Sequence, residues 1–314
     1  MCQLLRDRKG LNMGIQFYQR PKLDHPIMVV GWPGIGNIGI IAVNTLKGLV
    51  KAEEFGEIES WDFFYPRRVS IQQGVLEELE FPTNKFYFCR LEKKDVVFFI
   101  GEEQPSEGER MYARGEKAYR MANLVLDAAV ELGCQRVYTS GACVSMVHHQ
   151  MKPKVVAVTS TERLREEVQG YPNTILMSDL AGRGEGEGTI TGLNGLLVAV
   201  AKKRGLEGVC LMGEIPDWLS GVLLPYPKGS KSVLEVFGEI LGVDIDLSIL
   251  EKLERQIEEM IEGFYSKFPP EAKEEYDQRK LVFQTTSGTI TVQAQIYVDD
   301  RFKKGGDPGG ERPV

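Results

Sequence analysis

Apolar and polar positions along this chain alternate with two different periods, and the switches between them mark its elements. Ile27-Met28-Val29-Val30 is an unbroken apolar run, the pattern of a strand buried on both faces, and it ends in the turn-forming Gly31-Trp32-Pro33-Gly34. Ile40 to Val50 then carries Ile41, Leu46, Leu49 and Val50 at helical spacing. Phe63 to Gln72 and Lys85 to Leu91 alternate as half-exposed strands do. Asp95 to Ile100 is apolar almost throughout, and Glu92-Lys93-Lys94 before it is short enough for a hairpin loop. Met111, Ala118, Ala122, Val125, Ala129 and Leu132 recur every three or four residues, which predicts one buried helix face ended by a left-handed Gly133. Strand patterns return at Arg136 to Ser140, Lys154 to Thr159, Thr174 to Met177 and Gly208 to Met212. Between them lie a short helix capped by Thr159 and Glu162 and a largely buried helix from Leu193 to Arg204.

This alternation predicts an α/β fold, a three-layer α/β/α arrangement around a mixed, mostly parallel sheet. From Ser232 the pattern turns helical. Ser232 and Glu235 read as a second capping box, and Asp246 as the cap of a longer helix with the stripe Leu250, Leu253, Ile257, Ile261 and Phe264. The chain then reads as β again, with a hairpin expected over 281–298 around Ser287-Gly288. Its second strand alternates strictly, so Ile290, Val292, Ile296 and Val298 are a candidate interface for a neighbouring subunit or a partner's sheet edge. The expected organisation is a disordered or mis-assigned start at 1–13, an α/β core over 14–228, helices over 229–268 on or beside it, the hairpin, and a disordered tail at 303–314.

Composition narrows the function classes. The 314 residues hold 38 Lys and Arg against 45 Asp and Glu, a net charge of −7 that repels phosphate backbones, so no nucleic-acid partner is expected. No apolar run approaches the ~20 residues that a bilayer span requires. Met1 to Asn12 lacks the apolar centre of a signal peptide. Five cysteines without a CxxC pair fit reduced thiols, and the expected compartment is the cytoplasm.

Two groups of residues are candidates for chemistry. Gly34-Ile35-Gly36-Asn37-Ile38-Gly39 matches G-x-G-x-x-G after a strand and before a helix, where backbone N–H groups favour a phosphate. Gly34, Gly36, Asn37 and Gly39, with Gly192 and Asn194 at the start of a later helix, are therefore candidate ligand or purely structural loop residues. Glu102, Glu103, Ser140 and Glu214 are placed near strand ends, where α/β sheets hold ligands, and form a candidate strand-end cleft. His148-His149 is the single histidine pair, and adjacent residues of a regular element point to different faces, so no metal site is expected. No cofactor is expected either.

Four segments in order carry a family resemblance: Val30 to Gly39, Gly101-Glu102-Glu103-Gln104-Pro105, Ile190 to Leu197, and Pro225-Tyr226-Pro227 ahead of two helices. They resemble the proteasome assembly chaperone 2 family over about Ile27 to Phe264. The resemblance implies an α/β/α fold like that of purine nucleoside phosphorylases and hydrolases. It also implies homo-oligomers and a role in binding protein partners, proteasome subunits among them, rather than catalysis. The alternative is a nucleotide- or nucleoside-handling enzyme that uses the Gly34–Gly39 loop. Family members that dock on proteasomes end in a hydrophobic residue, tyrosine and any residue, whereas this sequence ends Arg312-Pro313-Val314, so docking through the C-terminus is not expected.

Overall fold

The parallel centre of the sheet is made of strands with no polar face. In β2 (Ile27–Gly31) all five residues are buried, because Ile27 and Val29 face one layer of helices while Met28 and Val30 face the other. The structure, a computed structural model, describes residues 14–106, 113, 115–179 and 189–285. Its remaining strands are β1 (Ile15–Phe17), β3 (Glu53–Ile58), β4 (Arg68–Gln72), β5 (Val75–Glu80), β6 (Asn84–Arg90), β7 (Asp95–Gly101), β8 (Arg136–Ser145), β9 (Val155–Thr159), β10 (Thr174–Leu176) and β11 (Glu207–Pro216). The helices are α1 (Ile38–Leu49), α2 (Glu116–Glu131), α3 (Glu162–Gln169), α4 (Gly192–Lys203), α5 (Pro227–Leu241), α6 (Glu251–Tyr265) and α7 (Pro270–Thr285).

Nine strands form one mixed sheet in the order β1-β3-β6-β7-β2-β8-β11-β9-β10. The centre, β7-β2-β8-β11, is parallel, and the flanks run antiparallel except for β9-β10. Helices α1, α3, α5 and α6 contribute apolar side chains to the core on one face. Helices α2 and α4 pack on the other. This is the three-layer α/β/α fold that the strand–helix alternation implies. Among the described residues no helix is long and apolar enough to cross a membrane. Cys89, Cys134, Cys143 and Cys210 are buried, and burial pushes the Cys134 and Cys210 thiols up to about 12.

Several local expectations are corrected. Phe63 to Gln72 is not one strand: the strand begins at Arg68 and pairs with β5 in a separate two-stranded hairpin. The short helix α3 is capped by Thr161, whose hydroxyl accepts from the Leu164 N–H at 3.3 Å, rather than by Thr159. Helix α5 starts at Pro227, at the first-turn position that suits proline, so Ser232 lies inside it and its hydroxyl donates to the Pro153 carbonyl at 2.7 Å. The helical region thus begins two residues before residue 229 and runs well past 268. Residues 281–285, read as the first strand of a hairpin, are the last turn of α7. Pro270 and the strong helix formers Glu271 to Lys280 establish that helix, and extending it by one turn outweighs the β-propensity of Leu281-Val282-Phe283. The rest of the expected hairpin, with Ile290, Val292, Ile296 and Val298, and the expected disordered ends at 1–13 and 303–314 lie outside the described residues.

Candidate functional site

The turn that leaves β2 is held against β7 and by a glutamine of the loop that follows β7. Trp32 is buried, edge-on to Phe99 with ring centroids 5.4 Å apart, and its indole rests against Gly101. The next carbonyl, that of Pro33, accepts from Gln104 Nε2 at 2.7 Å. Gln104 Oε1 in turn accepts from the Leu193 N–H at 3.0 Å, in the first turn of α4, where Thr191 makes no side-chain cap. A loop glutamine therefore caps that helix.

Two glycines of the motif are required by geometry. Gly36 has φ +59°, and a β-carbon there would sit 2.9 Å from Ile215 Cδ1 and 3.0 Å from Tyr226 Cβ. Its carbonyl accepts from the Tyr226 N–H at 2.7 Å. Gly39, in the first turn of α1, lies on the backbone of β8, where a β-carbon would overlap the Ser140 carbonyl. Ser230 closes the same unit from α5 by donating to the Ile38 carbonyl at 3.0 Å. The four sequence segments singled out above thus pack on one another at the C-terminal edge of the parallel strands.

Above this unit lies a cavity of about 410 Å3, walled by Gly34 to Asn37, Glu102 to Gln104 and the loop Ser220 to Pro225. Glu102 and Glu103 stand at its wall, but both are engaged. Arg67 donates through Nη1 to Glu102 at 2.9 Å and through Nε to Glu103 at 2.6 Å, and the Thr83 N–H donates to Glu102 at 3.0 Å. One guanidinium thus serves two carboxylates, which suits a structural clamp at the foot of β4.

The expected cleft is not assembled. Ser140 lies within β8, fully buried behind Gly39, and Glu214 lies within β11 rather than past its end. Both strands run farther than their apolar runs because each is covered on both faces. Glu214 accepts from the Lys154 N–H at 2.8 Å, its own N–H donates to the Lys154 carbonyl at 3.0 Å, and burial raises its carboxyl pKa. Neither residue walls the cavity. Gly192, at φ +75°, sits beside Gln104. Asn194 lies against Gly141, and its carbonyl accepts from Thr139 Oγ1 at 3.3 Å. Gly34 and Asn37 remain at the cavity wall.

A second polar cluster was not anticipated. His148 and His149 follow β8 in a turn, so both rings enter the same cluster, 4.3 Å apart between centroids. Both are buried. His148 Nδ1 accepts from the Gln150 N–H at 3.1 Å, which leaves Nε2–H to donate to Asp277 at 3.1 Å. His149 Nε2 lies 3.0 Å from Glu262 Oε1, and its Nδ1 lies 3.2 Å from the Tyr276 hydroxyl. Burial pushes His148 down to about 4 and lowers His149 as well, so both are neutral rings at pH 7. Lys228 of α5 donates to the His149 carbonyl at 3.1 Å and to Glu258 of α6 at 2.8 Å. The turn thereby ties α5, α6 and α7 together. Its carboxylates lie more than a hundred residues away in sequence, and no local motif signals them.

These features match known proteins. The chain belongs to the PAC2 family, whose pattern it fits over residues 28–264. It is 29% identical over 241 residues to the uncharacterized protein MJ1210 of Methanocaldococcus jannaschii, a match covering 76% of this chain and 83% of that one. Among solved structures it is similar to Pyrococcus furiosus PbaB, an archaeal proteasome activator, with a TM-score of 0.65 and 28% identity over 80% of this chain and 97% of PbaB. It shares its fold with P. furiosus PbaA, an archaeal homolog of proteasome-assembly chaperone, at a TM-score of 0.58 and 20% identity over 87% and 98% of the two chains.

Proposed function

We propose that this protein is a non-catalytic, homo-oligomeric binding protein of the cytoplasm that acts on proteasome subunits in the manner of an assembly chaperone. The observation that carries this reading is the similarity to PbaB, at 28% identity over 80% of the chain. The site supports it. Gly36 and Gly39 are committed to packing against Tyr226 and Ser140, and Glu102 and Glu103 are held by Arg67. A nucleotide phosphate at the Gly34–Asn37 turn would face those two carboxylates across the cavity.

The experiment is direct. The full-length chain is mixed with proteasome α-subunits and with assembled core particles from its own organism, and the products are weighed by native mass spectrometry. A complex with either is the expected result; independent masses in every mixture overturn the reading. A thermal-shift screen with nucleotides and nucleosides runs beside it, where a rise of several degrees favours the enzyme alternative and no rise is expected.

A further inference from the structure

The hairpin β4-β5 stands apart from the nine-stranded sheet, and one of its faces is apolar and turned to solvent. Its two strands are joined by Gln73 (φ 49°) and Gly74 (φ 82°), a two-residue turn with both central φ values positive. Cross-strand pairing sets Val69 opposite Leu79 and Ile71 opposite Leu76. These four side chains are 45–69% exposed. The other face holds the Arg68–Glu80 ion pair at 2.7 Å with Ser70, Glu78 and Gln72, and of the apolar residues only Val75, opposite Gln72, falls on it.

The two edges of this hairpin differ. Strand β5 carries a bulge, because Glu78 pairs with Ser70 and Leu76 with Ile71, leaving Glu77 as the extra residue. With Glu77, Glu78 and Glu80 it is a protected edge: two copies paired antiparallel about its centre would set glutamates opposite one another. Strand β4 has no such protection. The extra residue of the bulge between Ser70 and Ile71 lies on β5 and not on β4, and no strand lies on the outer side of β4 among the described residues. The turn makes Gln72 and Val75 a hydrogen-bonded pair, so the N–H and C=O of Ile71 point away from β5.

We infer that two copies of this chain join through β4, antiparallel about a two-fold axis at Ser70. That register places Ser70 opposite Ser70 of the second copy, Val69 opposite Ile71 and Arg68 opposite Gln72, with no like charges facing. It turns an isolated two-stranded hairpin into a four-stranded sheet, past the size at which sheets become stable in water. It also joins Val69, Ile71, Leu76 and Leu79 of both copies into one continuous apolar face. This inference rests on the homo-oligomeric part of the proposed function and names its surface.

The test uses the full chain. In a Cys2→Ser background, Ser70→Cys places two thiols across the axis at a separation that a disulfide spans. Mild oxidation is expected to convert most of the chain to a covalent dimer, while the four buried native cysteines react little. Separately, Ile71→Pro removes the outward N–H and leaves the β5 ladder whole, and Ile71→Lys places a charge on the exposed face. Each is expected to cut the mass seen by light scattering at least by half without moving the melting temperature of the core. A wild-type mass of 35.2 kDa at micromolar concentration overturns the oligomer reading and this inference together. An oligomer whose mass neither Ile71 variant changes, with no cross-link at position 70, leaves the oligomer reading standing and overturns this one. A cross-link from position 70 to another segment or to a proteasome subunit also overturns it, by giving the edge a different occupant.

Discussion

Tyr276 and His149 are joined twice: the His149 backbone N–H donates to the Tyr276 hydroxyl at 2.8 Å, and that hydroxyl lies 3.2 Å from His149 Nδ1. The rings are parallel within 5°, with centroids 5.6 Å apart. Because the hydroxyl already accepts from the backbone, its own hydrogen is available to His149 Nδ1, and the neutral imidazole carries its single N–H on Nε2, where it donates to Glu262. The Tyr276 phenol, donating once and accepting once, thus seats helix α7 on the core together with the Asp277–His148 and Arg279–Asp217 contacts.

Tyr276→Phe is therefore expected to loosen α7 in particular. It leaves a buried N–H and a buried ring nitrogen unpartnered, a cost of about 1–3 kcal/mol. Hydrogen exchange should show faster exchange over residues 270–285 with β2 and β8 unchanged. Equal protection in the variant and the wild type would mean that α7 is held by something other than this pair.

Acid should weaken the same seat. His148 titrates near 4 in the folded chain and near 6.5 when unfolded, so between those values the unfolded chain binds the extra proton. Stability conferred by the neutral ring is fully present above about pH 6.5 and falls as pH drops toward 4, by on the order of 3 kcal/mol. Burial alone would raise the Asp277 carboxyl, but Tyr265, His148 and Lys280 hold it below its ordinary value, so its contribution is also lost on acidification. Denaturant midpoints from pH 7 to pH 4 check this, and His148→Phe should flatten the slope between 6.5 and 4.

The two motif glycines should differ in what they tolerate. At Gly36 an added methyl meets the movable end of Ile215 and, at 3.0 Å, the Tyr226 Cβ, and the left-handed backbone adds strain, about 1–3 kcal/mol in all. At Gly39 the obstacle is the main chain of Ser140 in the middle of the sheet, which cannot move alone. Gly39→Ala is expected to exceed 3 kcal/mol or to prevent folding. Urea midpoints showing equal costs would mean that α1 can lift from β8 freely.

What the sequence disclosed and what it withheld follow from the range of the forces involved. Strands β2 and β7 are legible as short unbroken apolar runs and helix α2 by apolar residues at helical spacing, and tertiary packing agrees with both. Strand β5 is not, because Val75-Leu76-Glu77-Glu78-Leu79 has apolar spacing closer to a helix and glutamates that disfavour strands; the turn and its partner β4 decide the matter. Of the site, the glycine turn was visible as a motif, but the contacts that explain it, Trp32 on Gly101 and Gln104 on Leu193, cross 69 and 89 residues. Ser140 and Glu214 looked like strand-end residues because apolar runs stop before doubly covered strands do. The histidine cluster depends on helices whose arrival beside β8 no local pattern announces.

Gln104 offers the sharpest test of the glycine-turn unit, because its two amide atoms do different work. Nε2 donates to the Pro33 carbonyl and Oε1 accepts from the Leu193 N–H, with Leu193 itself fully buried. Gln104→Leu deletes both bonds, together with the longer one that Oε1 accepts from the Ala113 N–H at 3.4 Å, and is expected to cost about 1–3 kcal/mol, chiefly through the orphaned helix N–H. Gln104→Glu keeps the acceptor but turns a carboxylate oxygen toward the Pro33 carbonyl, an oxygen facing an oxygen. It should be at least as destabilising near pH 7. Below its carboxyl pKa the glutamic acid regains a donor in the same place, so its stability deficit relative to wild type should narrow as pH falls, even while both proteins lose stability through the histidine cluster. The Gln104→Leu deficit has no titrating group and should stay constant. Denaturant midpoints for the three proteins at pH 7 and pH 4.5 decide it: parallel losses for both variants would show that the amide donor to Pro33 contributes nothing, and that Gln104 acts on α4 alone.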